Sequence, residues 1–415
     1  MGISLQTSRP PETRSEYWQL IFWATVGVVS IIYLGSALFE PARPDQLIYL
    51  ARSFSHGSLS VDDMPLMYPD YVIVEGHTYL PVGPLSALVL VPFLPFLDAG
   101  LSSGWLGVTF TLVNIWMCYR VLGRATIVGE QRRWALLLFF CGTVYFPVAV
   151  TLTSWYFAHV LATTCLLVAM YEALGRSRPV LIGLSLGLAT MTRLSTIFSL
   201  LFFLWMLLDQ RPISGQSHAI TIERRALALV QVIAGLAGPL VLLMAYNYAR
   251  FHNPFETGYG IDVVATKMYE EARSQGLFSL EHIPKNLFAL LLQGPVAYPS
   301  VDAPVLQFPY VQPTPMGMSI LFTSPALVFA VRAGLGHRLI QACWLAVFCV
   351  LIPLLTHYAT GWIQFGFRYS LDLMPFLLVL ATLGFGERPP LSARILVIVS
   401  VLINLWGVYW LQRWL

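Results

Sequence analysis

The chain has 415 residues, 57% of them hydrophobic and only 11% charged, with a mean hydropathy of +0.69. That composition excludes an ordinary soluble domain and describes a polytopic membrane protein. A net charge of +3, with no basic run interleaved with aromatics, argues against nucleic acid as a partner. The five cysteines all sit inside apolar runs without CxxC spacing, so neither a zinc site nor a disulfide framework is indicated.

In chain order, a polar tail over 1–19 precedes an uncharged run, Leu20–Phe39, long enough for a first span and without a signal-peptide cleavage pattern. Residues from about 40 to 100 form a first loop rich in Asp and Pro. Within it, residues 45–54 carry the apolar spacing of an amphipathic helix lying on the membrane. Tyr71–Val74 and His77–Leu80 read as a small hairpin turning at Glu75-Gly76. Pro81–Leu97, with four prolines, reads as an interfacial or re-entrant piece. Ala99–Tyr119 is the second span, and Trp134–Tyr171 is a pair of spans turning near Pro147–Tyr156.

Pro179 to Leu208 contains one charge, Arg193, near its middle. Each half is about fourteen helical residues, roughly 21 Å against about 30 Å of hydrocarbon, so the run reads as a short hairpin with Arg193 at its apex. Ala226–Tyr248 follows, then a long loop from about 249 to 315 with a surface helix expected over Ile261–Gln275. Further spans are expected at Gly317–Val331, Leu339–Thr356, Leu373–Phe385 and Ile395–Leu411. The expected architecture is therefore all-α with about eleven transmembrane helices over 20–415. Most basic residues fall in alternate connections, which puts the N-terminus inside and the two long loops outside, on a plasma membrane.

The chemistry-bearing residues gather on that outer side. Asp45 follows a proline at the end of the first span. It reads either as a helix N-cap or as a general base tuned by partial desolvation. Asp70 could orient an acceptor hydroxyl, or could merely belong to a hairpin scaffold. Arg193 reads as an anion ligand below the membrane surface or as a snorkelling arginine. Arg368, at the mouth of a late span, is spaced to pair with Asp372 on one helical face. His159 and His357 lie at helix ends, where packing histidines are common. No GxxxxGK[ST], GxSxG or HExxH is present, and with two lysines, Lys267 and Lys285, a nucleotide triphosphate site is not indicated.

Several segments together resemble the membrane-embedded glycosyltransferases of the GT-C superfamily, especially bacterial protein O-mannosyltransferase and aminoarabinose transferase relatives. They are Pro44-Asp45-Gln46; Gly76-His77-Thr78-Tyr79-Leu80-Pro81-Val82-Gly83-Pro84; Gly187-Leu188-Ala189-Thr190-Met191-Thr192-Arg193; Arg250–Phe255 with Gly258-Tyr259; and Gly366-Phe367-Arg368-Tyr369. The resemblance implies Asp45 as catalytic residue, Arg193 and Arg368 as ligands of a donor phosphate, and Asp70, Tyr79, His159 and Tyr259 as substrate contacts. It implies transfer of a sugar, with inversion, from a polyprenyl-phosphate donor to a hydroxyl of a lipid, glycan or protein acceptor on the extracytoplasmic side. No metal and no cofactor are expected. The chain departs from the family pattern at Gln46, where a second acid is usual, and in Thr151–Phe157, which has no acid. A transporter or flippase of lipid-linked glycans, or a member that has lost catalysis, are the other readings.

Overall fold

The structure is a computed structural model that describes residues 13–39, 45–65, 70–101, 104–151, 154–175, 178–208, 222–261, 270–299 and 305–414. Helix α1 (Thr13–Phe39) holds the first span and is followed by α2 (Gln46–Ser55). Strands β1 (Val72–Val74) and β2 (His77–Tyr79) pair antiparallel around Glu75-Gly76. The proline-rich piece folds as α3 (Leu85–Leu90), a single 3-10 turn and α4 (Leu94–Asp98). Then come α5 (Gly104–Arg124), α6 (Gly129–Cys141), α7 (Tyr145–Thr151) and α8 (Ser154–Ala173). The hairpin around Arg193 is α9 (Pro179–Thr192), a 3-10 turn over Leu194–Ser199, and α10 (Leu200–Leu208). Helix α11 (Ile222–Phe251) leads to the second long loop, with α12 (Glu270–Ser274), α13 (Ile283–Leu291), β3 (Val296–Pro299) and β4 (Leu306–Gln312). The chain closes with β5 (Met316–Met318), α14 (Ile320–Thr323), α15 (Arg338–Thr356), β6 (Gln364–Gly366), α16 (Met374–Phe385) and α17 (Leu391–Trp414).

Six helices among the described residues are long and apolar enough to cross a membrane: α1, α5, α8, α11, α15 and α17. The α6–α7 pair, bent by 52°, makes a seventh if counted as one span. The protein is thus a multi-pass membrane protein. The expected total of about eleven spans included two short ones in the Arg193 hairpin; among the described residues α9, the Leu194–Leu208 segment and also α16 are shorter than a full crossing requires. Gly317–Val331 also differs from the single span expected there. It is β5, α14 and a 3-10 helix over Pro325–Ala333, interrupted where Ser324 precedes Pro325. The second span begins at Gly104 rather than Ala99. Of the surface helix expected over Ile261–Gln275, only α12 lies within the described residues.

Contacts fix the course of the Arg193 hairpin. Gly183 lies against Val232, Gly187 against Pro239, and Gly235 against Val180, so α9 and α11 run side by side in the same direction. A Cβ on Gly183 would sit 1.9 Å from the Val232 carbonyl oxygen, so this crossing depends on the missing side chain. Small residues spaced four apart are what lets membrane helices approach this closely. At Arg193 the backbone turns extended (φ −142°, ψ 102°) and the direction reverses. At the far end of α10, the Arg338 guanidinium at the start of α15 donates to the carbonyls of Trp205 and Met206. Hydroxyls reinforce the break: Thr192 donates to the Ala189 carbonyl and Thr196 to the Arg193 carbonyl, each of which also accepts a backbone amide.

Buried amides lock the remaining helices. Asn114 of α5 donates to the Tyr145 hydroxyl and the Val160 carbonyl, and Asn404 of α17 to the Thr323 carbonyl. Helix α2 departs from the membrane-lying helix expected for it. Its apolar side (Leu47, Ile48, Leu50 and Ala51) is buried within the protein.

Candidate functional site

The ends of α9 and α15 and the starts of α8 and α16 meet at one face of the helix layer, and the polar side chains concentrate there. At the centre, Arg193 Nη2 donates to Asp372 Oδ2 at 2.9 Å, and Nε lies 3.2 Å from both carboxylate oxygens. Ser195 donates to the same Oδ2, and His159 Nδ1 stands 3.4 Å from Oδ1. Asp372 is fully buried and Arg193 nearly so. Burial alone would raise the Asp372 carboxyl; the Arg193 charge and then His159 outweigh it and hold it below the usual carboxylate range.

This arrangement corrects the Arg368–Asp372 pair expected from spacing. Residues 368–372 form a 3-10 turn rather than an α-helix, and Asp372 pairs with Arg193 instead. Arg368 is left differently placed. It is 8% exposed, and its guanidinium lies 5.2 Å from the Tyr156 ring and 5.6 Å from the Tyr369 ring. Its Nη1 reaches the Trp362 carbonyl only at 3.5 Å, and Nε has no hydrogen-bond partner among the described residues. A buried guanidinium with open donors is costly unless something anionic completes it. Beside it is a small open-sided crevice, lined by Val148, Tyr156, Gln364 and Leu411 among others. The Gln364 amide, bonded to the Met316 and Thr360 carbonyls, braces the strand that carries Arg368.

Asp70 enters the same cluster. Trp155 Nε1 donates to its Oδ2 at 2.8 Å. Burial pushes the Asp70 carboxyl above the usual range, and neither the Trp155 bond nor the Arg368 charge fully offsets it. Tyr259 joins from the second long loop, half-buried and 6.4 Å from His357; burial, with Tyr369 and Asp70 nearby, raises its hydroxyl well above the ordinary tyrosine value. Tyr369 ties the two arginines together. Its ring lies 4.8 Å from the Arg193 guanidinium and near-parallel to His159 at 6.1 Å.

Two of the expected site residues make contacts within the first loop and its neighbours. Asp45 is buried and caps α2, its carboxylate accepting the Leu47 amide at 2.8 Å. Tyr79 packs edge-on against Phe251 at 5.7 Å, in a small apolar cluster with Val72 and Val74. Arg250 there donates to the Leu80 carbonyl at 2.6 Å and fixes the first loop. The loop is also tied to the Arg193 apex, because Gly83 lies flush on the Met191 carbonyl and Gly258 on Pro81. Trp155, Tyr156, Ser195, Tyr369 and the pairing of Asp372 were not singled out from sequence. The pair Trp155-Tyr156 lay in a segment noted only for its lack of acids.

Among the described residues, no three His, Cys, Asp or Glu side chains stand close enough to hold a metal ion. No protein-family model and no curated protein matches the chain. Among solved structures it is similar to ArnT from Cupriavidus metallidurans in the apo state. The likeness has 12% identity and a TM-score of 0.45, and it covers 90% of this chain and 60% of ArnT. The chain therefore spans about 60% of the length of that protein.

Proposed function

We propose that this protein is a GT-C type glycosyltransferase that moves a sugar from a polyprenyl-phosphate donor to an acceptor hydroxyl at the extracytoplasmic face of the plasma membrane. One observation carries the reading: a buried Arg368 whose Nε has no hydrogen-bond partner among the described residues lies near enough for its charge to act on Asp70, a carboxyl with raised proton affinity, in a membrane protein. Transfer from a lipid phosphate needs a cation for the departing phosphate and a carboxylate for the acceptor proton. Asp372 neutralises Arg193, so Arg368 is the cation available to the donor. Its fork offers charge-assisted hydrogen bonds to phosphate oxygens. Arg193 acts behind it, holding the Tyr369 ring that both guanidiniums share.

For the base, the sequence resemblance nominates Asp45, which also caps α2, whereas Asp70 is the carboxyl on which the Arg368 charge acts. The acceptor proton would go to one of these carboxylates as the acceptor oxygen bonds to the anomeric carbon and the bond to phosphate breaks. Tyr259 and His159 line the same cluster and supply substrate contacts.

The test is release of free polyprenyl phosphate from a polyprenyl-phosphate sugar by the purified protein in lipid nanodiscs, supplied with an envelope extract as acceptor. Release that depends on acceptor and is lost in Arg368→Ala supports the proposal. Donor movement across vesicles without release would establish the flippase reading instead.

A further inference from the structure

The β3–β4 hairpin is built as no hairpin in water should be. Its strands pair from Val296 opposite Gln312 to Pro299 opposite Leu306, and the described residues of the hairpin carry no charge. Phe308 is 82% exposed, and Val305, Leu306 and Tyr310 are each at least half exposed. Apolar side chains thus leave from both faces. An isolated two-stranded sheet is marginal in water, and a soluble surface rarely leaves an apolar patch of this kind uncovered.

Its neighbours show what covers it. Tyr298 packs edge-on against Trp410 of α17 at 5.1 Å. Along α17, the exposed Ile395, Leu402 and Tyr409 recur every seven residues, which makes one lipid-facing stripe ending beside that contact. At the end of the stripe Arg413 donates to the Tyr409 hydroxyl at 2.6 Å, the pairing of aromatic ring and cation found where hydrocarbon gives way to headgroups. Helix α13, which precedes the hairpin, caps the end of α15 through Asn286 and exposes Phe288 and Leu292. Exposed apolar side chains therefore run from α17 and α13 onto the hairpin.

We infer that the β3–β4 hairpin is a membrane-dipping element, seated in the hydrocarbon–headgroup boundary of the same leaflet that the site faces. The occupant of its surface is lipid rather than a protein partner, because the surface extends a lipid-facing stripe and its described residues offer no charge to orient a protein. The hairpin also brings that boundary close to the site: β4 runs into β5, which pairs with β6 two residues before Arg368.

The test is nitroxide accessibility in nanodiscs at Phe308→Cys and, separately, Tyr310→Cys, with Ser274→Cys as the exposed control in the same loop. Signal from the native cysteines is subtracted using the unsubstituted protein. Oxygen collisions should exceed those of a water-soluble nickel chelate at 308 and 310, and the ratio should reverse at 274. A chelate-dominated ratio at 308 and 310 would place the hairpin in water and overturn the inference. Exclusion of both reagents would overturn it in favour of a protein contact such as a second copy of this chain. Both positions are more than half exposed, so neither change removes a core contact.

Discussion

Arg193 and Asp372 lie 179 residues apart in the chain and close a fork on each other, two guanidinium nitrogens against one buried carboxylate. The apex of the short α9–α10 hairpin is thereby fastened to the turn that opens α16. Read from sequence alone, Arg193→Ala should lose donor binding far more than fold. The pair reverses that expectation.

Asp372→Asn leaves the Arg193 charge without its counterion and should cost about 3–5 kcal/mol, the scale for breaking a buried pair. Thermal unfolding in detergent is the measurement, and Arg193→Ala should fall in the same range. Replacing both by leucine should recover much of the loss, since an apolar pair strands no charge. The Asp372 carboxyl is held low, so its contribution is present above the unfolded carboxylate value, about 4, and is lost as pH falls through the native one. Single variants as stable as wild type, with donor affinity alone reduced, would return Arg193 to direct ligand duty.

Arg368 should behave in the opposite way. Its open Nε and weak Trp362 contact mean that Arg368→Ala breaks few hydrogen bonds, so its stability cost, from the lost Tyr156 and Tyr369 ring contacts, should be smaller than that of breaking the Arg193–Asp372 pair. Loss of charge-assisted bonds to a phosphate is worth about 1.5–3 kcal/mol, or roughly 10- to 100-fold in donor affinity. Arg368→Lys keeps the charge but not the fork and should fall between. Equilibrium binding of a polyprenyl phosphate reads this directly; equal affinity in wild type and Ala variant would end the assignment.

The sequence made the spans and the Arg193 break legible because both are local: an apolar run of given length, and a charge in the middle of one. It could not show which charges pair. Arg368 and Asp372 have helical spacing, yet the residues between them form a 3-10 turn, and the partner of Asp372 comes from α9. Gly317–Val331 has the hydropathy of a span, but the break at Ser324-Pro325 divides it. Nothing local in the sequence singles out Trp155 and Tyr156. Only the approach of the first loop gives Trp155 a carboxylate and that of the last turn gives Tyr156 a guanidinium.

Gly83 ties the first loop to the Arg193 apex. A Cβ there would sit 1.9 Å from the Met191 carbonyl oxygen, and backbone cannot yield as a flexible side chain would. Gly83→Ala should therefore cost about 1–3 kcal/mol, the range for overpacking, and should move the loop away from the site. Gly238→Ala, within α11 and with nothing inside 4 Å, should be neutral or stabilising by up to about 1 kcal/mol. Equal melting temperatures for the two variants would show that the loop does not rest on α9.

Orientation can be read by labelling intact cells. Cysteines at Ser55 and Ser274, both exposed, should react with an impermeant maleimide from outside. One at Ser214, which lies outside the described residues, should react only after permeabilisation. Reaction at Ser214 in intact cells would invert the assignment of faces.

Asp45 and Asp70 can be separated because their carboxylates accept from different donors, the Leu47 amide and the Trp155 indole. Asn caps a helix about as well as Asp, so Asp45→Asn should leave the start of α2 intact while removing any capacity to take a proton. At Asp70 the carboxyl is raised, so the folded protein prefers it protonated. Its stabilising contribution is present below the unfolded value, about 3.9, and is lost as pH rises through the native one. Asp70→Asn should accordingly hold or raise stability at neutral pH, while Asn can still accept the Trp155 bond. Whichever residue is the base, its Asn variant should lose about 10² or more in sugar transfer. If that residue is Asp70, wild-type transfer should fall on the acid side at a higher pH than an ordinary carboxylate would impose, and this limb should vanish in Asp70→Asn. If it is Asp45, the limb should persist in Asp70→Asn. Near-normal transfer by both variants would remove both carboxylates from the chemistry and with them the proposed mechanism.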